Sequence, residues 1–87
     1  MEIIYSIQAV EDISYWKKSG NKAVQAKISS LVGDIVKHPF TGIGKPEALK
    51  YQLSGSWSRR ITLNDRLVYS VNFENNTIEI ETARGHY

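Results

Sequence analysis

Val24, Ile28, Leu31, Val32, Ile35 and Val36 fall at i, i+4, i+7, i+8, i+11 and i+12, and Pro39 follows closely. A strand, with its period of two, cannot gather these residues on one face; a helix can, and the proline then forbids its continuation. Asn21 is placed to accept a free amide of the first turn, while Lys37 and His38 suit the negative end of the helix dipole. Upstream, Ala9, Ile13 and Trp16 fall at i, i+4 and i+7 behind Ser6 as a cap, with Glu11 and Asp12 off the stripe and Gly20 as a left-handed stop. The short connection between the two patterns predicts an antiparallel helix hairpin.

After Pro46 the period changes from helical to two. Strands are predicted near 49–53, 57–62, 66–73 and 77–84, separated by turns at Ser54-Gly55, Asn64-Asp65 and Asn75-Asn76. Glu2 to Tyr5 reads as a further strand at the start. The expected fold is α+β, in the order β-α-α-β-β-β-β: a twisted antiparallel sheet with the helix pair packed on one face. Its 87 residues form one expected domain, 1–87, too small for anything but a shallow cleft on a single core.

Other function classes fall away on composition. No apolar run approaches the roughly 20 residues of a membrane helix, and MEIIYS has neither the length nor the flanks of a signal peptide. Cysteine is absent, which removes a disulfide framework and thiolate chemistry and fits a reducing cytoplasm. His38 and His86 are the only histidines, with no metal-ligand spacing, so no metal or other cofactor is expected. Gly42-Ile-Gly-Lys45 lacks the glycine spacing of a phosphate-binding loop and leaves a helix rather than a strand. No helix-turn-helix signal for DNA is present.

The net charge of +2 says little, but its distribution is uneven. Residues 45–66 carry Lys45, Lys50, Arg59, Arg60 and Arg66 against Glu47 and Asp65, whereas residues 67–87 are net negative. Arginine suits forked contact with phosphate, and a solvated basic face is the competing reading. Strand parity sorts these residues. Trp57, Arg59 and Ile61 share one face and Ser58, Arg60 and Thr62 the other, so Arg60 faces the open side, and the stem of Arg59 is free to cover the core edge. In the next strand Leu67, Tyr69 and Val71 form the bulkier apolar face, which sends Arg66 to the open side with Arg60. Glu47 reads either as an exposed loop carboxylate or as a general base held among cations. Ile78 and Ile80 share parity with Thr82, Arg84 and His86; the last strand therefore either bulges near 83–85 or runs on past the core. His86 and Tyr87 read by themselves as a frayed terminus.

In order along the chain, Tyr15-Trp16, Pro39-Phe40, Gly42-x-Gly-Lys-Pro-Glu47, Leu49-Lys50, Leu53-Ser-Gly-x-Trp-Ser-Arg-Arg-Ile61, Arg66-Leu-Val-Tyr69 and His86-Tyr87 resemble the YoeB/Txe toxins. These are ribosome-dependent mRNA interferases of the RelE superfamily, with a RelE-like, microbial-RNase-like fold. The resemblance implies a metal-independent endoribonuclease that cleaves mRNA in the ribosomal A site by 2′-hydroxyl attack. Glu47 would be the base, His86 the acid, Arg66 the clamp on the phosphate, and Tyr87 a group that positions substrate or backs up the proton transfer. Lys50 and Arg60 match RNA-holding positions, and Lys45 and Arg59 beside them are expected to contact RNA as well. Implied partners are the ribosome and mRNA, a cognate YefM/Axe-type antitoxin and a second copy in a homodimer, with operator DNA reached only through the antitoxin complex in repression of the operon. The rival readings are a non-catalytic blocker of RNA or ribosome, and a ribonuclease that needs no ribosome.

Overall fold

The computed structural model describes residues 1–85, so the predictions resting on His86 and Tyr87 lie outside the described residues. The elements run β1 (Glu2–Tyr5), α1 (Ile7–Lys18), α2 (Lys22–Lys37), β2 (Glu47–Ala48), β3 (Ser56–Arg60), β4 (Arg66–Asn72) and β5 (Thr77–Thr82). The strands make one five-stranded sheet in the order β1-β5-β4-β3-β2. The neighbours from β2 to β5 are antiparallel as expected, whereas β1 pairs β5 in parallel, which makes the sheet mixed. The helix hairpin between β1 and β2 permits this, since α1 carries the chain away before β5 is laid down.

The caps act as the sequence indicates. Ser6 Oγ accepts the Ala9 amide at 3.0 Å and donates to the Glu81 carbonyl at 2.7 Å, which ties the start of α1 to β5. Asn21 accepts the Val24 amide at 3.1 Å, and Gly20 makes the turn between the helices at φ +72°. From α2, Val24, Ile28, Leu31, Val32 and Ile35 are buried against Leu67, Tyr69, Ile78 and Ile80 of the sheet. Removing such a side chain, as in Leu31→Ala, costs roughly 2–5 kcal/mol. On α1 the buried face is Ala9, Asp12 and Trp16, with Ile13 only partly covered. Asp12 was expected off the stripe. It is buried because its carboxylate accepts the Ala83 amide at 2.9 Å and the Gln8 side-chain amide at 2.9 Å.

Two further expectations change. The strand predicted near 49–53 is confined to Glu47–Ala48, with Leu49 making one last bond to Ser56, and a 3-10 turn occupies Tyr51–Leu53. The alternation of Leu49, Tyr51 and Leu53 misled: Leu49 is buried, but Tyr51 stands 88 % exposed at φ +58° with no sheet to cover it. In the last strand the bulge lies earlier than predicted. Tyr69 pairs Ile80 but Val68 pairs Thr82, so one extra residue of β5 shifts the parity. Ile78, Ile80 and Ala83 all reach the core despite their mixed spacing.

Candidate functional site

The register of β2, β3, β4 and β5 lines up Glu47, Ser58, Val68 and Thr82 across the face of the sheet away from the helices. In the adjoining row Arg60 lies directly opposite Arg66. Glu47 and Arg66 are far apart in sequence, yet this pairing brings Arg66 Nη1 to 3.9 Å from Glu47 Oε2 and 3.4 Å from Ser58 Oγ, to which it donates. The Glu47 side chain is 61 % exposed on the short edge strand; that of Arg66 is 16 % exposed between strands. A reachable carboxylate therefore sits beside a guanidinium held in place. Like charges opposite one another across a ladder repel, so Arg60 and Arg66 make a position that favours an anion between or above them.

The surrounding cations extend this arrangement. Lys27, Lys45 and Arg60 line one open groove with Thr62 and Leu63. Lys50 lines another with Glu47, Leu49 and Tyr51. Lys45 and Lys50 are both exposed and flank Glu47 in the chain. Lys27, from the middle of α2, has no sequence signal toward this groove, because its helical neighbours only place it off the buried stripe.

Arg59 is corrected. Expected to contact RNA, it is instead fully buried, with each of its N–H donors occupied within the protein. Nη1 donates to Asp34 Oδ2 at 2.5 Å and the Ile43 carbonyl at 3.0 Å, Nη2 to the His38 and Thr41 carbonyls at 2.5 and 3.0 Å, and Nε to Tyr69 Oη at 3.2 Å. Strand parity puts Arg59 on the helix side, and the loop from His38 to Ile43 supplies the acceptors that a buried guanidinium requires. Asp34, which sequence reasoning passed over, also accepts the Ile43 amide at 3.1 Å. Its hydrogen bond to Arg59 holds its carboxyl below the ordinary 3.8, against the desolvation that acts to raise it. Burial pushes the Tyr69 hydroxyl upward despite Arg59, and that hydroxyl donates to the Pro39 carbonyl at 2.6 Å.

This network positions Glu47. It clamps the loop that leads into β2, and the two loop glycines permit the close approach: a Cβ on Gly42 would lie 2.0 Å from Asp34 Oδ2, and one on Gly44 2.7 Å from Leu31 Cδ2. Gly44 then accepts the Arg60 amide at 2.6 Å, fastening the loop to β3 just ahead of Lys45 and Glu47.

The other side of the site is held by the chain after β5. Gly85, at φ +75°, donates its amide to Asp65 Oδ1 at 2.8 Å and accepts the Arg66 amide at 2.9 Å. Among the described residues no group of three or more His, Cys, Asp or Glu side chains could hold a metal, and no helix is long and apolar enough to cross a membrane.

Comparison with known proteins points one way. The family model for YoeB-like toxins of bacterial type II toxin–antitoxin systems matches residues 5–87. Toxin YoeB of Escherichia coli K12 is 44% identical over 87 residues, covering 100% of both chains, and Toxin YoeB of Streptomyces coelicolor is 44% identical over the same full lengths. Among solved structures, a YoeB/ParE toxin from Agrobacterium tumefaciens superposes with a TM-score of 0.95 at 34% identity, covering 100% of each chain. A YoeB-YefM complex from Staphylococcus aureus gives 0.87 at 42% identity, covering 100% of this chain and 98% of the other.

Proposed function

This chain belongs to the YoeB-like toxins of bacterial type II toxin–antitoxin systems, and from that premise we propose that it is a metal-independent endoribonuclease acting on mRNA in the ribosomal A site. The observation that carries the reading is the meeting of exposed Glu47 with Arg66 on the sheet face away from the helices, beside Arg60, with Arg66 donating to the buried hydroxyl of Ser58. Cleavage of RNA through its own 2′-hydroxyl needs a base, an acid and cationic charge at the crowded phosphate. Glu47 takes the 2′-hydroxyl proton, the 2′-oxygen bonds to phosphorus, and the bond to the 5′-oxygen breaks as His86 protonates the leaving oxygen. The products are a 2′,3′-cyclic phosphate, which a water molecule can then hydrolyse to a 3′-phosphate and a 2′-hydroxyl, and a free 5′-hydroxyl. Arg66, already aligned by Ser58, stabilises the charge that accumulates on the phosphoryl oxygens. Lys45, Lys50 and Arg60 hold the strand, and Tyr87 positions the substrate. The residue next to His86 in sequence, Gly85, is hydrogen-bonded to Arg66 itself, which supports a shared site.

By likeness to the YoeB-YefM complexes and the YoeB dimer of Staphylococcus aureus, the chain is assigned a YefM-type antitoxin partner and a homodimeric form, with operator repression exerted through the antitoxin complex. The cell compartment is the cytoplasm, where mRNA is translated.

The test is cleavage of a defined mRNA, programmed into ribosomes or naked, by wild type, Glu47→Ala and His86→Ala. Each substitution is expected to retain ribosome binding and to lose ~10²–10⁴-fold in cleavage rate. Full translational arrest by both variants would instead identify a non-catalytic blocker, and equal cutting of naked mRNA would remove the ribosome from the reaction.

A further inference from the structure

Beyond Thr82 the chain leaves the sheet, yet it does not run free. The Ala83 amide donates to Asp12 Oδ2 and its carbonyl accepts from Trp16 Nε1, both at 2.9 Å and both buried. The Arg84 guanidinium lies 3.4 Å from the centroid of the Tyr15 ring. Gly85 is bound through its amide to Asp65 and through its carbonyl to the Arg66 amide. Each of these three residues is thus fastened to a different group, from α1 on one side and the β3–β4 turn on the other.

The means are chemically specific. Asp12 is a carboxylate on an otherwise apolar helix face, 6 % exposed, and burying it is worthwhile only for the bonds it accepts. Asp65 divides its two oxygens, accepting Gly85 through Oδ1 and the Thr62 hydroxyl through Oδ2 at 2.6 Å. The Thr62 bond braces the carboxylate, so that the position of Gly85 is set by the turn that also begins β4 at Arg66. A strand end that needed only to stop would require none of this.

We propose that Asp65 is a positioning residue for the cleavage reaction: it fixes Gly85, the residue that precedes His86 and Tyr87 in the sequence, against Arg66, the phosphate clamp of the proposed reaction. Asp12, Trp16 and Tyr15 anchor the preceding two residues to the same end. The inference rests on the ribonuclease reading above, and its test separates the two.

Wild type, Asp65→Ala and Asp65→Asn are compared for single-turnover cleavage of ribosome-bound mRNA, for KM, for melting temperature and for deuterium exchange at the Gly85 amide. Asn keeps an acceptor for Gly85, while its amide group can donate to Thr62; Ala keeps neither bond. Misplacement of a reacting group by about 1 Å costs on the order of 10²-fold. Asp65→Ala is therefore expected to lower kcat ~10–10²-fold with KM held and Gly85 exchange accelerated, and Asp65→Asn to restore most of kcat. Cleavage by Asp65→Ala at the wild-type rate overturns the proposal while leaving the ribonuclease reading standing. So does a loss that follows melting temperature alone and is not rescued by Asn. A wild-type protein that cleaves no RNA overturns both, and is recognised from the wild-type arm alone.

Discussion

Arg59 and Arg60 are consecutive guanidinium side chains with opposite fates, because neighbouring residues of a strand point to opposite faces. Arg59 enters the helix side, where one carboxylate, three carbonyls and a phenol oxygen match its fork; Arg60 stays on the open side across from Arg66. Substituting each therefore has a different effect. Arg59→Met leaves buried carbonyls and Asp34 without their donor, and is expected to cost ~3–5 kcal/mol of stability. Arg59→Lys recovers only part of this, since an ammonium has three donors and no fork. Arg60→Ala is expected to change stability by no more than about 0.5 kcal/mol while weakening RNA binding. Urea unfolding followed by binding of an uncleavable RNA decides the point: an Arg60→Ala variant that unfolds early but binds normally would reverse the assignment.

At the scale of elements, the loop between α2 and β2 is held less by its own sequence than by the Asp34–Arg59 pair beneath it. This gives it an acid-sensitive anchor. Asp34 in the folded chain binds its proton less readily than the ordinary value of 3.8, so its contribution is complete above that value and is lost as pH falls through the lower folded value. Asp34→Asn is expected to be less stable than wild type at neutral pH, with the gap closing progressively below pH 3.8. Equal gaps at pH 7 and pH 3 in urea titrations would mean that ionisation of Asp34 plays no part. The same pair shows where reading the sequence stops. The helix hairpin was legible because its caps and apolar stripes are local. Parity alone placed Arg60 and Arg66 on one open face, and it sent Arg59 to the other. That Arg59 is saturated there depends on Asp34 and on carbonyls of a loop whose path no local pattern encodes. Leu49, Tyr51 and Leu53 alternate as strand residues do, but an edge needs a neighbour, and β3 offers pairing only as far as Leu49. Asp12 reads only as lying off the apolar stripe, and Asp65 only as a turn residue, for the same reason: their partners, Ala83 and Gly85, lie in the distant segment after β5. The roles of Glu47, His86 and Tyr87 came from the family resemblance, not from spacing.

Over the whole molecule, a net charge of +2 is too small to draw RNA by itself, so the proposed ribonuclease would rely on the arrangement of its charge. The open sheet face is graded. Lys45, Lys50 and Arg60 gather at its β2–β3 side with Arg66 next to them, whereas Glu79 and Glu81 stand on β5, the latter accepting the Ser56 hydroxyl at 3.0 and 3.1 Å. On the proposed reading a polyanion would be drawn to the half carrying these cations and turned away from the half carrying these carboxylates, toward the side of Glu47. Each phosphate neutralised on a single strand releases counterions, so log K falls with log salt by about 0.7 per contact. The four cations Lys45, Lys50, Arg60 and Arg66 then predict a slope near −3 for an uncleavable RNA, on the order of four contacts. Lys45→Ala with Lys50→Ala should bring it to about −1.4, while Glu79→Gln should strengthen binding by letting the strand spread toward β5. Fluorescence anisotropy between roughly 50 and 200 mM salt measures all three. A slope unchanged by the lysine pair would move the RNA off the face that carries Glu47 and Arg66.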